Sequence, residues 1–279
     1  MRHGALVLVF SGFLAGSGPV LAAGGAGGTA APGSRMQMAM TIFAGGIQLG
    51  KLDMDASMSA ADYHIVSNLE TSGVVNAFWQ AQIQATSSGR VAAKNLAPQL
   101  YDSFDIGRGG KKQQVSLSYA DGQPRLFADP AYSTTGYDVK AEEQKATLDP
   151  LSAVMFIVSG LGAEGDPCNV TAPVFDGRRR YNIEMHKVRD TDIKMDNGLY
   201  AGHALLCQVK YRQLSGFKPK VLKANESFPT INAWVVRYPS SVAGRDYVVP
   251  VRVWADTAYG MVAVVASSLT IDGQTLAGK

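Results

Sequence analysis

The sequence predicts an all-β fold, mainly antiparallel, curled into an incomplete barrel or β-spiral around one buried helix near residues 150–159. Three observations predict it. Apolar and polar residues alternate with period two over most of the chain. Turn signals rich in Gly, Asn and Asp punctuate those runs at hairpin spacing. A single segment carries both a helix start and a helix stop. Ten or more strands with one helix leave long edges exposed, and curling into a barrel or spiral is how such a sheet protects them.

The chain opens with an export signal. Met1-Arg2-His3 is a short basic start, and Ala5 to Leu14 is an apolar stretch broken only by Ser11 and Gly12. Val20-Leu21-Ala22-Ala23 then supplies the small residues that a signal peptidase reads. Residues 1–22 are therefore read as a secretory signal peptide, cleaved after Ala22 or Ala23. A retained anchor would need about 18 unbroken apolar residues. Residues 23–35 read as a flexible leader, because Gly24 to Ser34 cannot bury enough apolar surface to order itself. One β-rich domain is expected over 36–271, and a loose tail over 272–279.

Within the domain, Met36, Met38, Met40 and Ile42 alternate with Gln37, Ala39 and Thr41. After Gly45-Gly46, Leu52, Met54, Ala56 and Met58 alternate with polar residues, as in a hairpin arm with one wet face. Tyr63 to Glu70 forms a third run. Val74 to Gln84 reads either as a helical turn leading into a strand or as strand throughout. Leu100, Asp102, Phe104 and Ile106 turn through Gly107–Gly110 into Val115, Leu117 and Tyr119, and Asp121-Gly122 reverses the chain again. The helix follows, with Asp149 as N-cap, Pro150 at the first position and Gly160 as stop. Its faces are nearly all apolar, including Leu151, Val154, Met155, Phe156 and Ile157, so it either plugs the core or covers a cavity as a lid. Beyond it, Asp176-Gly177 and Asn197-Gly198 mark hairpin turns. Leu205, Cys207, Val209 and Tyr211 share a face that places Cys207 inward. Runs at Ala233–Tyr238, Val248–Trp254 and Met261–Ile271 complete the strands.

Charge excludes one class of partner. The chain has 26 Lys and Arg against 23 Asp and Glu, a net of +3, and nucleic-acid binding wants a denser basic footprint. No apolar run after the leader reaches spanning length, so no transmembrane segment is expected in the mature chain. In an oxidising compartment the two cysteines, Cys168 and Cys207, read as one disulfide; the alternative is two free buried thiols. Such a bond closes a loop of about 40 residues, worth on the order of 4 kcal/mol in the chain-entropy picture. His64 and His186 fall on polar strand faces and His203 in a loop, none at metal-ligand spacing. No nucleophile elbow or phosphate loop occurs; Val158-Ser159-Gly160 is a helix end. No catalytic, cofactor or metal residue is assigned, and a non-enzyme is expected. Arg178-Arg179-Arg180, with Lys187 and Arg189 beyond, forms a basic edge. It would meet an anionic partner such as a lipid head group, or simply deter edge-to-edge pairing.

Several blocks carry a family resemblance. They are Phe43-Ala44-Gly45-Gly46-Ile47-Gln48-Leu49-Gly50, Thr71-Ser72-Gly73, Asp149-Pro150-Leu151-Ser152-Ala153, Phe175-Asp176-Gly177-Arg178-Arg179-Arg180-Tyr181 and Cys207-Gln208-Val209-Lys210-Tyr211. In this order, over roughly Met36 to Leu269, the chain resembles an exported proteobacterial family of unknown function. The resemblance implies a periplasmic, curved or spiral antiparallel sheet, similar in architecture to periplasmic lipoprotein and lipid carriers. It also implies the Cys168–Cys207 disulfide, and it brings no catalytic residue. The expected function is a non-catalytic periplasmic protein that supports cell-envelope integrity by binding a partner, either an envelope protein or a lipid. A carrier or sensor of a hydrophobic ligand, lipid or acylated peptide, is the second reading, drawing on the Met-rich strand faces. A periplasmic hydrolase comes third, and an outer-membrane barrel last, because aromatic girdles are not apparent.

Overall fold

The computed structural model describes residues 33–72, 81–133, 136–163, 165–223, 229–242, 245–257 and 260–276. The signal peptide and nearly all of the expected leader lie outside the described residues, as does the 74–80 part of the turn-or-strand segment.

Seven strands come first: β1 (Ser34–Ala44), β2 (Ile47–Met58), β3 (Asp62–Thr71), β4 (Gln82–Val91), β5 (Leu96–Ile106), β6 (Lys112–Ala120) and β7 (Gln123–Asp129). Each pairs antiparallel with the strand before it. Two helices follow, α1 (Ala141–Gln144) and α2 (Pro150–Val158). A second meander then runs through β8 (Val170–Phe175), β9 (Arg180–Lys194), β10 (Ala201–Ser215), β11 (Ile231–Pro239), β12 (Asp246–Thr257), β13 (Gly260–Ile271) and β14 (Gln274–Thr275). A short helix, α3 (Pro219–Lys223), separates β10 from β11.

Pairing of β1 with β13 joins the two meanders into one sheet. Its order is β7-β6-β5-β4-β3-β2-β1-β13-β12-β11-β10-β9-β8, with β14 added on β13. The edge strands β7 and β8 do not pair, so the sheet is open, as a barrel-like sheet that stops short of closure. Prolines fall where the ladder can spare a donor. Pro124 and Pro173 sit on the edge strands, and Pro98 and Pro250 lie at register shifts.

One face of the sheet is wrapped around α2. The helix touches β3, β4 and β5 from the first meander and β8 and β12 from the second. A single helix can meet both halves on one face only if the sheet curves about it. Leu151, Met155, Phe156 and Val158 are buried, while Val154 and Ile157 are half-buried. Each buried side chain of this size contributes about 1.5–3 kcal/mol. The same interior takes Met36, Met38, Met40, Met54 and Met58, the alternating methionines of β1 and β2.

The helix is pinned at its N-terminus. Asp149 accepts the Ser152 backbone N–H at 2.9 Å through Oδ1, and the Ser152 hydroxyl donates to Oδ2. Ser87 of β4 also donates to Oδ2, at 3.0 Å. The Tyr63 hydroxyl of β3 lies 2.6 Å from Ser152 Oγ. All four side chains are buried, and Asp149 has no exposure. Loss of water pushes the Asp149 carboxyl up to about 6; the donors from Ser152 and Ser87 hold it from rising further.

A seam lies between the two sheet edges. Leu148 adds a parallel bridge to Val174, donating to Pro173 at 2.8 Å and accepting from Phe175 at 2.9 Å. The β8–β9 turn leans on β6 and β7 at Gly177, where a Cβ would fall 2.8 Å from Leu126 and 3.0 Å from Val115. With φ at +90°, this position requires glycine twice over. A second clamp is the Cys168–Cys207 disulfide, with a Cα separation of 5.9 Å and both residues fully buried.

Three boundaries differ from expectation. Ser34 and Arg35, expected in the leader, already belong to β1, because the Asp272 carboxylate accepts from Ser34 Oγ at 2.7 Å and Arg35 N at 2.8 Å. The expected loose tail begins with that anchor and adds β14 on β13. His203, expected in a loop, lies within β10.

The raised carboxyl predicts a pH signature. Unfolded Asp149 ionises near 3.8 and folded Asp149 near 6, so its ionisation favours the unfolded chain as pH rises between those values. Below about 3 both states are protonated and the penalty vanishes, and above about 7 it is constant at about 3 kcal/mol. Denaturant unfolding of wild type and Asp149→Asn at pH 4 and pH 7 checks this. The wild-type-minus-variant stability should fall by about 2 kcal/mol from pH 4 to pH 7. A difference that does not change with pH would contradict it.

Candidate functional site

The polar knot under α2 contains hydroxyls and a carboxylate of the kind a hydrolase uses. It is sealed from solvent, since Tyr63, Ser87, Asp149 and Ser152 are all at most 3% exposed. Its local chemistry is that of a helix cap.

The opposite end of α2 is open. A cleft of about 800 Å³ lies between the chain leaving the helix, the start of β8 and the β11–β12 hairpin. Phe156, Val170 and Val248 line it as buried apolar floor. Gly162 lets the chain lie flat on that floor: a Cβ there would come within 2.2 Å of the Phe156 ring. Three cations reach the cleft from three separate places. Lys94 comes from the β4–β5 turn, Arg237 from β11 and Arg245 from just ahead of β12. Arg237 is the cross-strand partner of Val248, which aims both toward the cleft.

Charge in the cleft is unbalanced. Among the described residues, none of the three cations makes an ion pair. Arg245 instead directs Nη1 at Met58 Sδ, 3.6 Å away. Among the described residues Asp246 is the one acidic residue of the lining, and the C-terminal carbonyls of a helix add roughly half a negative charge. Three positive charges outweigh both.

The basic edge expected at Arg178, Arg179 and Arg180 is engaged within the fold. The Arg178 guanidinium lies over Tyr132 and that of Arg179 over Phe217, at 5.4 and 5.6 Å from the ring centres. Both backbone N–H groups donate to Asp176. Arg180 Nη1 donates to the Tyr181 carbonyl at 2.6 Å and to Asn182 Oδ1 at 2.7 Å, and burial lowers its pKa. Lys187 pairs with Asp190 at 2.7 Å and Asp166 at 3.3 Å. Among the described residues the histidines, His64, His186 and His203, are exposed and scattered. No group of three or more metal-binding side chains occurs among the described residues, and no described helix is long and apolar enough to cross a membrane.

Sequence reasoning missed the cleft. Lys94, Arg237 and Arg245 lie as much as 151 positions apart, and only the wrapping of both meanders around α2 brings them together. No local spacing signals that.

Comparison with solved structures places the fold. A beta-barrel-like protein of the DUF1849 domain of unknown function from Brucella abortus is 11% identical, with a TM-score of 0.51. The match covers 87% of this chain and 98% of that one, and it shows a shared fold. A DUF1329 family protein from Desulfovibrio piger is 9% identical over 88% of this chain and 87% of its own, at a TM-score of 0.21, too low to inform the fold. Comparison with curated proteins finds no match. A family profile described as a protein of unknown function, DUF3108, matches residues 37–266, and the chain belongs to that family.

Proposed function

We propose that this domain is a non-catalytic periplasmic protein that supports the cell envelope by binding an anionic envelope component in the cleft at the C-terminal end of α2. The observation that carries this reading is the convergence of Lys94, Arg237 and Arg245 on an apolar floor where, among the described residues, Asp246 is the one acid and none of the three cations is ion-paired. Phosphate oxygens accept charge-assisted hydrogen bonds from Arg and Lys. Phe156, Val170 and Val248 would meet the apolar part beside the head group. The cleft volume falls in the range of small-molecule sites, about 300–1,000 Å³. Export is supported by the signal-peptide reading of residues 1–22 and by the Cys168–Cys207 disulfide.

Vesicle co-sedimentation tests this. The mature protein should sediment with vesicles containing phosphatidylglycerol at low salt, less so as salt rises, and not with phosphatidylcholine alone. The triple variant Lys94→Gln, Arg237→Gln, Arg245→Gln should lose most of that binding. Equal sedimentation with both lipids, or no loss in the variant, would reject the reading.

A second reading, a carrier of a lipid or acylated peptide, is favoured by the methionines of β1 and β2, which are buried in the same core as α2. It requires α2 to leave its seat as a lid, exposing Leu151, Met155 and Phe156. Solvent extraction of protein purified from its own periplasm separates the two. A stoichiometric extracted lipid supports the carrier, and a bare protein supports binding at the open cleft.

A further inference from the structure

The sheet face turned away from α2 also carries an unspent cation. Register places Ile42, Val264, Val253, Ala233 and Cys207 in one cross-strand row, on the α2 side. The next row, Thr41, Val265, Arg252 and Trp234, must point the other way. Arg252 sits among aromatic rings there, 5.1 Å from the centre of Trp234 and 5.4 Å from that of Trp254. Those contacts hold the guanidinium in place. They leave its donors largely unused. Among the described residues Nε is buried without a hydrogen-bond partner, and Nη2 meets only Met261 Sδ, at 3.8 Å. Among the described residues no carboxylate lies within ion-pair distance of Arg252.

Beside it runs a cleft of about 550 Å³ with apolar walls from Phe43, Trp234, Met261 and Val265. Its far wall is the tip of the β9–β10 hairpin. Asn197 Nδ2 pins that tip to the Ala266 carbonyl at 2.7 Å, and Met195 is buried beneath it. The cleft is therefore preformed. Among the described lining residues Lys194 and Asp196 carry opposite formal charges, which leaves the charge of Arg252 as the balance.

We propose that this cleft binds a single-chain amphiphilic carboxylate, with the carboxylate on Arg252 and the hydrocarbon along the Phe43–Trp234–Val265 wall. One unpaired guanidinium suits one carboxylate, and a guanidinium takes it by two parallel hydrogen bonds. The volume suits one short chain. The site shares no lining residue with the cleft at the end of α2, so it stands or falls independently of the reading above.

Laurate, below its micellar concentration, is the probe. Two of the three tryptophans flank Arg252, so intrinsic emission should change saturably on titration of the mature protein. Arg252→Gln should weaken binding about tenfold or more. Met261→Glu should do the same while Arg252 remains, because the exposed position 261 would present a carboxylate to it. Dodecyltrimethylammonium, of equal chain length and opposite charge, should bind at least tenfold more weakly. The triple variant at Lys94, Arg237 and Arg245 should bind laurate as wild type does. Laurate binding at full strength in both Arg252→Gln and Met261→Glu, or an equal response to the cationic amphiphile, would overturn the proposal.

Discussion

Asp149 is a carboxylate with no solvent exposure, and the arrangement of the domain follows from how it is kept there. Leaving such a group unpaired would be several times more destabilising than any single hydrogen bond is stabilising. Its acceptors are occupied by the Ser152 backbone N–H and by two serine hydroxyls. One of those hydroxyls belongs to α2 and the other to β4. The cap of the helix is thereby also the bond between helix and sheet. Since α2 touches both meanders on one face, fixing its start fixes the axis about which the sheet curves.

Curvature of this kind leaves two edges close together without joining them. Local devices guard the seam: a parallel bridge from Leu148, prolines on β7 and β8, and a glycine turn against Leu126. Register shifts between Ala39 and Met40 in β1, Trp234 and Val235 in β11, and Leu206 and Cys207 in β10 bend the sheet where the meanders join and through the second of them. The two faces then take different roles. One is filled by α2 and the methionines; the other carries Trp234, Arg252 and Trp254. At the open end of α2, cations drawn from the β4–β5 turn, from β11 and from just ahead of β12 line one cleft.

Much of this was legible in the sequence. The alternation of Met36, Met38 and Met40, the Asp149-Pro150 start and Gly160 stop of α2, and the inward Cys207 each follow from local chemistry, and the structure has all of them. β4 was hard to read for a physical reason. Its inward residues are small or polar, Ala85 and Ser87, because α2 packs on them and the knot needs a hydroxyl, so the strand lacks an apolar signal. β7 carries the exposed pair Leu126 and Phe127 at its middle, which blurs its alternation. β14 depends on the Asp272 anchor, whose partners Ser34 and Ser241 lie far away in the chain. Lys94, Arg237, Arg245 and Arg252 look like ordinary strand and turn cations until the sheet is assembled.

Whether α2 is a fixed plug or a movable lid is the question on which the account turns. Native-state hydrogen exchange, resolved by peptide or residue, measures it directly. If α2 is the axis of the sheet, amides of 154–158 should exchange only with global unfolding, at the same opening free energy as the facing strands β3 and β4. Exchange of 154–158 at a clearly lower opening free energy, while β3 and β4 stay protected, would show that the helix leaves its seat alone. That result would contradict the account and move the carrier reading ahead of it.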